Sequence, residues 1–96
     1  MHVRVVRFTD VTPERIQELL ARIEASDGPP ADVPTTGLDL LVDEAQGTAV
    51  VLQYFESEAD LQQGDAVFAA MDAGETPGTR ATVDRCESKL ELRIPA

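Results

Sequence analysis

The octapeptide Thr48-Ala49-Val50-Val51-Leu52-Gln53-Tyr54-Phe55 decides the fold. Its residues are those that fit a pleated, half-buried surface. Apart from Gln53 and the two hydroxyl side chains, both of its alternating faces are apolar. A strand with one wet face would alternate, so this one reads as an interior strand covered on both sides. Directly before it, Asp43-Glu44-Ala45-Gln46-Gly47 reads as a turn, with Gly47 the residue that takes a positive φ. Upstream of the turn, Gly37 leads into Leu38, Leu40 and Val42, alternating with Asp39 and Leu41. The turn is far too short for a crossover, which makes the two strands an antiparallel hairpin.

Outward from this hairpin the chain alternates strand and helix. Val3 to Phe8 reads as a first strand, with Val3 and Val5 on one face and Arg4, Val6 and Phe8 on the other. A helix follows, capped by Thr12, opened by Pro13 and carrying the stripe Ile16, Leu19, Leu20 and Ile23. Asp27-Gly28-Pro29-Pro30 ends it and begins a loop that lasts to Thr36. After the hairpin, Ser57-Glu58-Ala59-Asp60 resembles a capping box. Leu61, Gly64, Val67, Phe68 and Met71 mark the buried side of a second helix, where Gly64 implies close packing on the sheet. Asp72 to Thr79 is a loop, and a last strand is expected from about Ala81 to Ile94.

The order β, α, β, β, α, β predicts one α+β domain over residues 1–96, a four-stranded antiparallel sheet with both helices on one face. Right-handed crossovers place the first and third strands at the centre. The opposite face still carries apolar residues, and pairing with a second copy as a homodimer is the expected cover. A domain of 96 residues has a modest core, so such burial matters.

Composition bounds the partners. Eight Lys and Arg against eighteen Asp and Glu give a net charge of −10. That field repels nucleic acid and anionic lipid, so neither is expected as a partner. Cys86 is the only cysteine, which suits a reducing compartment, and Met1 to Val5 reads as strand rather than as a leader. A cytoplasmic protein is the expectation. His2 is the only histidine, so no metal site and no cofactor are expected.

Beyond topology, three segments carry a family resemblance: Asp43-Glu44-Ala45-Gln46-Gly47-Thr48, Met71-Asp72-Ala73-Gly74-Glu75-Thr76-Pro77-Gly78-Thr79-Arg80, and Val83-Asp84-Arg85-Cys86-Glu87. The chain resembles the dimeric α/β-barrel superfamily of ferredoxin-like protomers, and within it an uncharacterised actinobacterial-type subgroup. The resemblance implies a barrel formed by two sheets meeting face to face. The superfamily includes cofactor-free monooxygenases related to antibiotic biosynthesis, haem-degrading enzymes and muconolactone-isomerase-like enzymes. The histidine of haem-degrading relatives has no counterpart at His2, which precedes the first strand, and the chain has no Asn and no Trp.

Four side chains are candidates for a site. Asp84 and Cys86 stand at the polar end of a strand face that continues through Ser88 to Leu90, Leu92 and Ile94, whose apolar end is expected in the core. Asp84 is a weak candidate catalytic acid or base, a ligand contact, or a structural partner of Arg80 or Arg4. Cys86 reads as a small packed residue, with a nucleophile or redox sensor as the alternative, and is a candidate ligand contact. Tyr54, the only tyrosine, offers a hydroxyl for a polar ligand, and Arg80 offers a fork for a carboxylate. The opposite face of the last strand, from Val83 to Arg93, carries mixed charges and is expected to be solvated or to bridge subunits. No catalytic motif is legible. The leading reading is a homodimeric module with a pocket for a small hydrophobic ligand. The alternatives are a monooxygenase-like enzyme acting on a small hydrophobic or aromatic metabolite, and an acidic interaction module.

Overall fold

The computed structural model describes residues 1–26, 33–70 and 76–95. The elements run β1 (His2–Thr9), α1 (Pro13–Ala25), β2 (Gly37–Asp43), β3 (Thr48–Phe55), α2 (Glu58–Ala69) and β4 (Thr79–Glu87). They build one antiparallel sheet in the order β2-β3-β1-β4, with β3 and β1 central as the crossover rule requires. In register, Val6 stands between Val51 on β3 and Val83 on β4, while Leu40 faces Val51 from the other side.

The sheet is open. Strands β2 and β4 are its two edges and do not meet, so the topology is ferredoxin-like βαββαβ and the barrel expected from the family resemblance is not formed.

Local chemistry accounts for the ends of the elements. Thr12 caps α1 by accepting from the Arg15 amide at 3.3 Å, and Ser57 caps α2 by accepting from the Asp60 amide at 3.1 Å. Gly47 sits at φ 67° in the hairpin turn, and its carbonyl accepts from the Val11 amide at 3.0 Å. Gly64 permits the close approach expected of it, for a Cβ there would lie 2.5 Å from the Phe55 ring. Met71 and residues 72–75 of the following loop lie outside the described residues, as does the helix-ending Asp27-Gly28-Pro29-Pro30.

The face of the sheet toward the helices carries two apolar clusters. Val6, Phe8, Val11, Ala49 and Val51 form one, with Ile16, Leu40 and Val83 packed against it. Val33, Phe55, Leu61 and Phe68 form the other, beneath α2. Helix α1 is held more loosely. Its stripe is only partly covered, and Leu20 and Ile23 are each 43% exposed. Along the opposite, open face lie Val3 and Val5 of β1, Leu41 of β2, and Val50 and Leu52 of β3.

The last strand is shorter than expected. It ends at Glu87, opposite His2, and the final backbone bond runs from the Ser88 amide to the Met1 carbonyl. The β1–β4 ladder ends there, and the apolar alternation that follows joins no strand among the described residues. Leu90, Leu92 and Ile94 are therefore not core: they are 81%, 68% and 81% exposed.

Candidate functional site

Two polar groupings stand out, one on each face of the sheet. On the helix side, Arg4 and Gln53 point from neighbouring central strands into the space under α2 and are only 2% and 4% exposed. Asp65 descends from α2 to meet them. Arg4 donates from Nε to Asp65 Oδ1 at 2.6 Å and from Nη1 to Gln53 Oε1 at 2.9 Å. Arg85, on β4 beside Arg4, donates from Nε to the other carboxylate oxygen at 2.8 Å. One carboxylate is thus shared by a buried cation and an exposed one. The Arg4 guanidinium also lies 5.5 Å from the centroid of the Phe68 ring, within cation–π range.

The electrostatics follow from this arrangement. Burial pushes the Asp65 carboxyl up, but hydrogen bonds from Arg85 and Arg4 outweigh it and hold the group below its ordinary range. Burial lowers the proton affinity of Arg4, and the charges of Arg80 and Arg85 add to that effect. Arginine nonetheless keeps its proton, so the cluster carries fixed charge. Arg80, at the start of β4, donates from Nη2 to the Phe68 carbonyl at 3.1 Å and so closes the C-terminal end of α2.

On the open face the cross-strand register sets out rows. Tyr54, Val3 and Cys86 form one, and Asp39, Leu52, Val5 and Asp84 form the next. The Tyr54 hydroxyl donates to Asp39 Oδ2 at 2.7 Å, and this bond, with smaller contributions from burial and the Asp39 charge, raises the phenol above its ordinary value. Asp39 and Asp84 stand on the two edge strands, about 14 Å apart at a spacing of about 4.8 Å per strand. That separation is too wide for two carboxylates to share one reacting bond. At the hairpin end of the same face is a shallow recess of about 210 Å³, lined by Arg7, Leu41, Asp43, Thr48 and Val50 among others.

Of the four side chains singled out in the sequence, Tyr54, Asp84 and Cys86 thus share the open face and Arg80 lies on the helix side. Asp84 is exposed, and the structural partnership expected with Arg80 or Arg4 does not form, because Arg80 is committed to a carbonyl and Arg4 to Asp65. Cys86 is an exposed free thiol rather than a packed one. The charged face of β4 is also not simply solvated: Val83 packs in the core and Arg85 reaches Asp65 on the helix. Asp65 was missed. Its partners were legible, since Arg4 and Gln53 are the polar residues on otherwise apolar strand faces.

Among the described residues no three His, Cys, Asp or Glu side chains gather where they could hold a metal ion, and no helix is long and apolar enough to cross a membrane. Comparisons with known protein families, curated proteins and solved structures give no match, and with the sheet open the resemblance to the dimeric α/β-barrel superfamily does not stand.

Proposed function

We propose that the protein is a homodimeric module that binds a small ligand, its uncovered sheet face and apolar C-terminal segment being covered by a second copy. The carrying observation is the exposure of Leu90, Leu92 and Ile94, at 81%, 68% and 81%. These residues continue the alternation of Thr82, Asp84 and Cys86, the positions of β4 that belong to the open face. Each copy therefore offers both an apolar ribbon and an apolar surface bearing Val3, Val5, Val50 and Leu52. A two-fold contact between identical patches satisfies both at once. The sheets remain open in this arrangement, stacked as layers.

Covering that face would turn the recess beside Arg7 from a surface dent into an enclosed space. That space would suit a small hydrophobic ligand, while Tyr54, Asp84 and Cys86 would meet the partner farther along the same face. The exposed thiol of Cys86 suits a reducing compartment, in keeping with a cytoplasmic location.

Light scattering coupled to gel filtration tests the association. Fully burying an aliphatic side chain contributes about 1.5–3 kcal/mol, and a symmetric contact counts each residue twice. The double substitution Leu92→Ser, Ile94→Ser should therefore weaken the dimer by several orders of magnitude and leave a folded monomer by circular dichroism. A wild-type chain that stays monomeric at every concentration would end this reading.

A further inference from the structure

Arg7 stands apart from the other arginines of the sheet. Arg4 and Arg85 share Asp65, and Arg80 is bonded to the Phe68 carbonyl. Among the described residues the Arg7 guanidinium takes part in no ion pair and no hydrogen bond. Its place is on the open face, in a cross-strand row with Val50 and Leu41 on one side and Thr82 on the other.

The recess beside it supplies room as well as charge. Arg7, Leu41, Thr48 and Val50 line one space of about 210 Å³. That is smaller than the about 300–1,000 Å³ of pockets for drug-sized ligands, so it suits a smaller molecule. Asp43 is also in its wall, but the hairpin turn occupies both of its oxygens. Oδ1 accepts from the Gln46 amide at 3.2 Å and Oδ2 from Gln46 Nε2 at 2.6 Å. The Thr48 hydroxyl is engaged by no other described residue and offers a neutral donor.

A second copy laid over the open face would enclose Arg7. An enclosed cation is costly unless an anion meets it. Asp43 is turned to Gln46, so the counter-charge has to come with the ligand. One guanidinium fork matches one carboxylate. The Asp43 charge nearby repels any second negative charge, which disfavours a dianion such as phosphate.

We propose that this recess binds a small monocarboxylic acid with an apolar body. The carboxylate meets Arg7 and the Thr48 hydroxyl, and the body lies against Leu41 and Val50. The site rests on the homodimer reading, because the second copy closes the recess, and it names the ligand class for that reading.

The test is nuclear magnetic resonance of the leucine and valine methyl groups in the full-length protein, at constant ionic strength set by chloride. Benzoate, benzamide and inorganic phosphate are titrated separately. Benzoate should shift the Leu41 and Val50 signals saturably. Benzamide has nearly the same shape without the charge and should bind at least tenfold more weakly, and phosphate should not saturate. Arg7→Gln should weaken benzoate binding at least tenfold. Arg22→Gln removes the same charge from an exposed position on α1 and should leave binding unchanged. Should Arg7→Gln fail to fold, the preference of wild type for benzoate over benzamide decides alone. Light scattering on the same samples separates this site from the dimer. A dimer that binds benzamide as tightly as benzoate, or in which Arg7→Gln binds benzoate like wild type, overturns the site and leaves the dimer standing. Saturation by phosphate at the same methyl groups overturns the monocarboxylate assignment, and a chain that stays monomeric overturns both readings.

Discussion

Asp65 offers the sharpest test of how the helix side of the sheet is held, because its two oxygens serve two very different arginines. Oδ1 accepts from Arg4, whose side chain is 3% exposed, and Oδ2 accepts from Arg85, whose side chain is 52% exposed. Removing one partner of a buried pair strands a charge away from water and costs about 3–5 kcal/mol. An exposed pair contributes about 0–1 kcal/mol, because solvent screens it and two long side chains must be ordered. Asp65→Asn keeps one carbonyl oxygen, so the lower end applies: about 3 kcal/mol, or a fall of roughly 12–24 °C in Tm for a domain of this size. Arg85→Gln should cost far less than Asp65→Asn, because solvent screens a side chain that is half exposed. Urea unfolding followed by circular dichroism measures both. Equal, small losses in the two variants would refute the claim that burial of Arg4 sets the scale.

The same carboxylate gives the stability a pH dependence of definite sign. In the fold Asp65 is held below its ordinary value of 3.8, so the folded state releases this proton more readily than the unfolded chain. Its stabilisation is complete above the unfolded value and is lost as pH falls through the folded one. Wild type should thus lose stability on acidification more steeply than Asp65→Asn, in which this group no longer titrates. Parallel acid limbs for the two proteins would contradict the pairing.

Two further predictions concern packing and the open face. Gly64→Ala should gain about 1 kcal/mol of helix propensity but lose about 1–3 kcal/mol to overpacking, since its Cβ would lie 2.5 and 2.6 Å from the ring of the fully buried Phe55. The net is destabilisation, and in a Phe55→Leu background the penalty should shrink or reverse; a stabilised single variant would rule out the contact. Tyr54 is the only tyrosine and the chain has no tryptophan, so absorbance at about 295 nm reports its ionisation directly. Its titration should lie above the ordinary 10.0 and fall toward it in Asp39→Asn, and a midpoint unmoved by that substitution would remove the hydrogen bond as its cause.

Much of the fold is legible in the sequence. The apolar run from Thr48 to Phe55 has only one packing solution in a small antiparallel sheet, an interior position, and the short turn at Gly47 makes its neighbour antiparallel. Caps at Thr12 and Ser57 and the glycine at position 64 were legible because each answers a local need: an unpaired amide in two cases, a close approach in the third. The end of β4 was not legible in this way. Alternation continues through Leu90, Leu92 and Ile94, and pattern alone cannot show that the partner strand begins at His2 and so runs out. Whether the sheet closes is equally non-local, since it depends on twist and on which edges meet.

The functional side chains divide along the same line. By sequence, Arg4 and Gln53 are anomalies on apolar strands, and Tyr54, Asp84 and Cys86 are polar groups on alternating faces. Period-two alternation places each relative to its strand neighbours, which is as far as local geometry extends. Register across β3, β1 and β4 then decided that Tyr54, Asp84 and Cys86 share the open face, and that Arg80 does not. Only the descent of α2 onto the sheet brought Asp65, sixty-one residues along the chain, to Arg4. Alternation is set residue by residue through the backbone, whereas the pairing of a buried charge is set by whichever element packs over it.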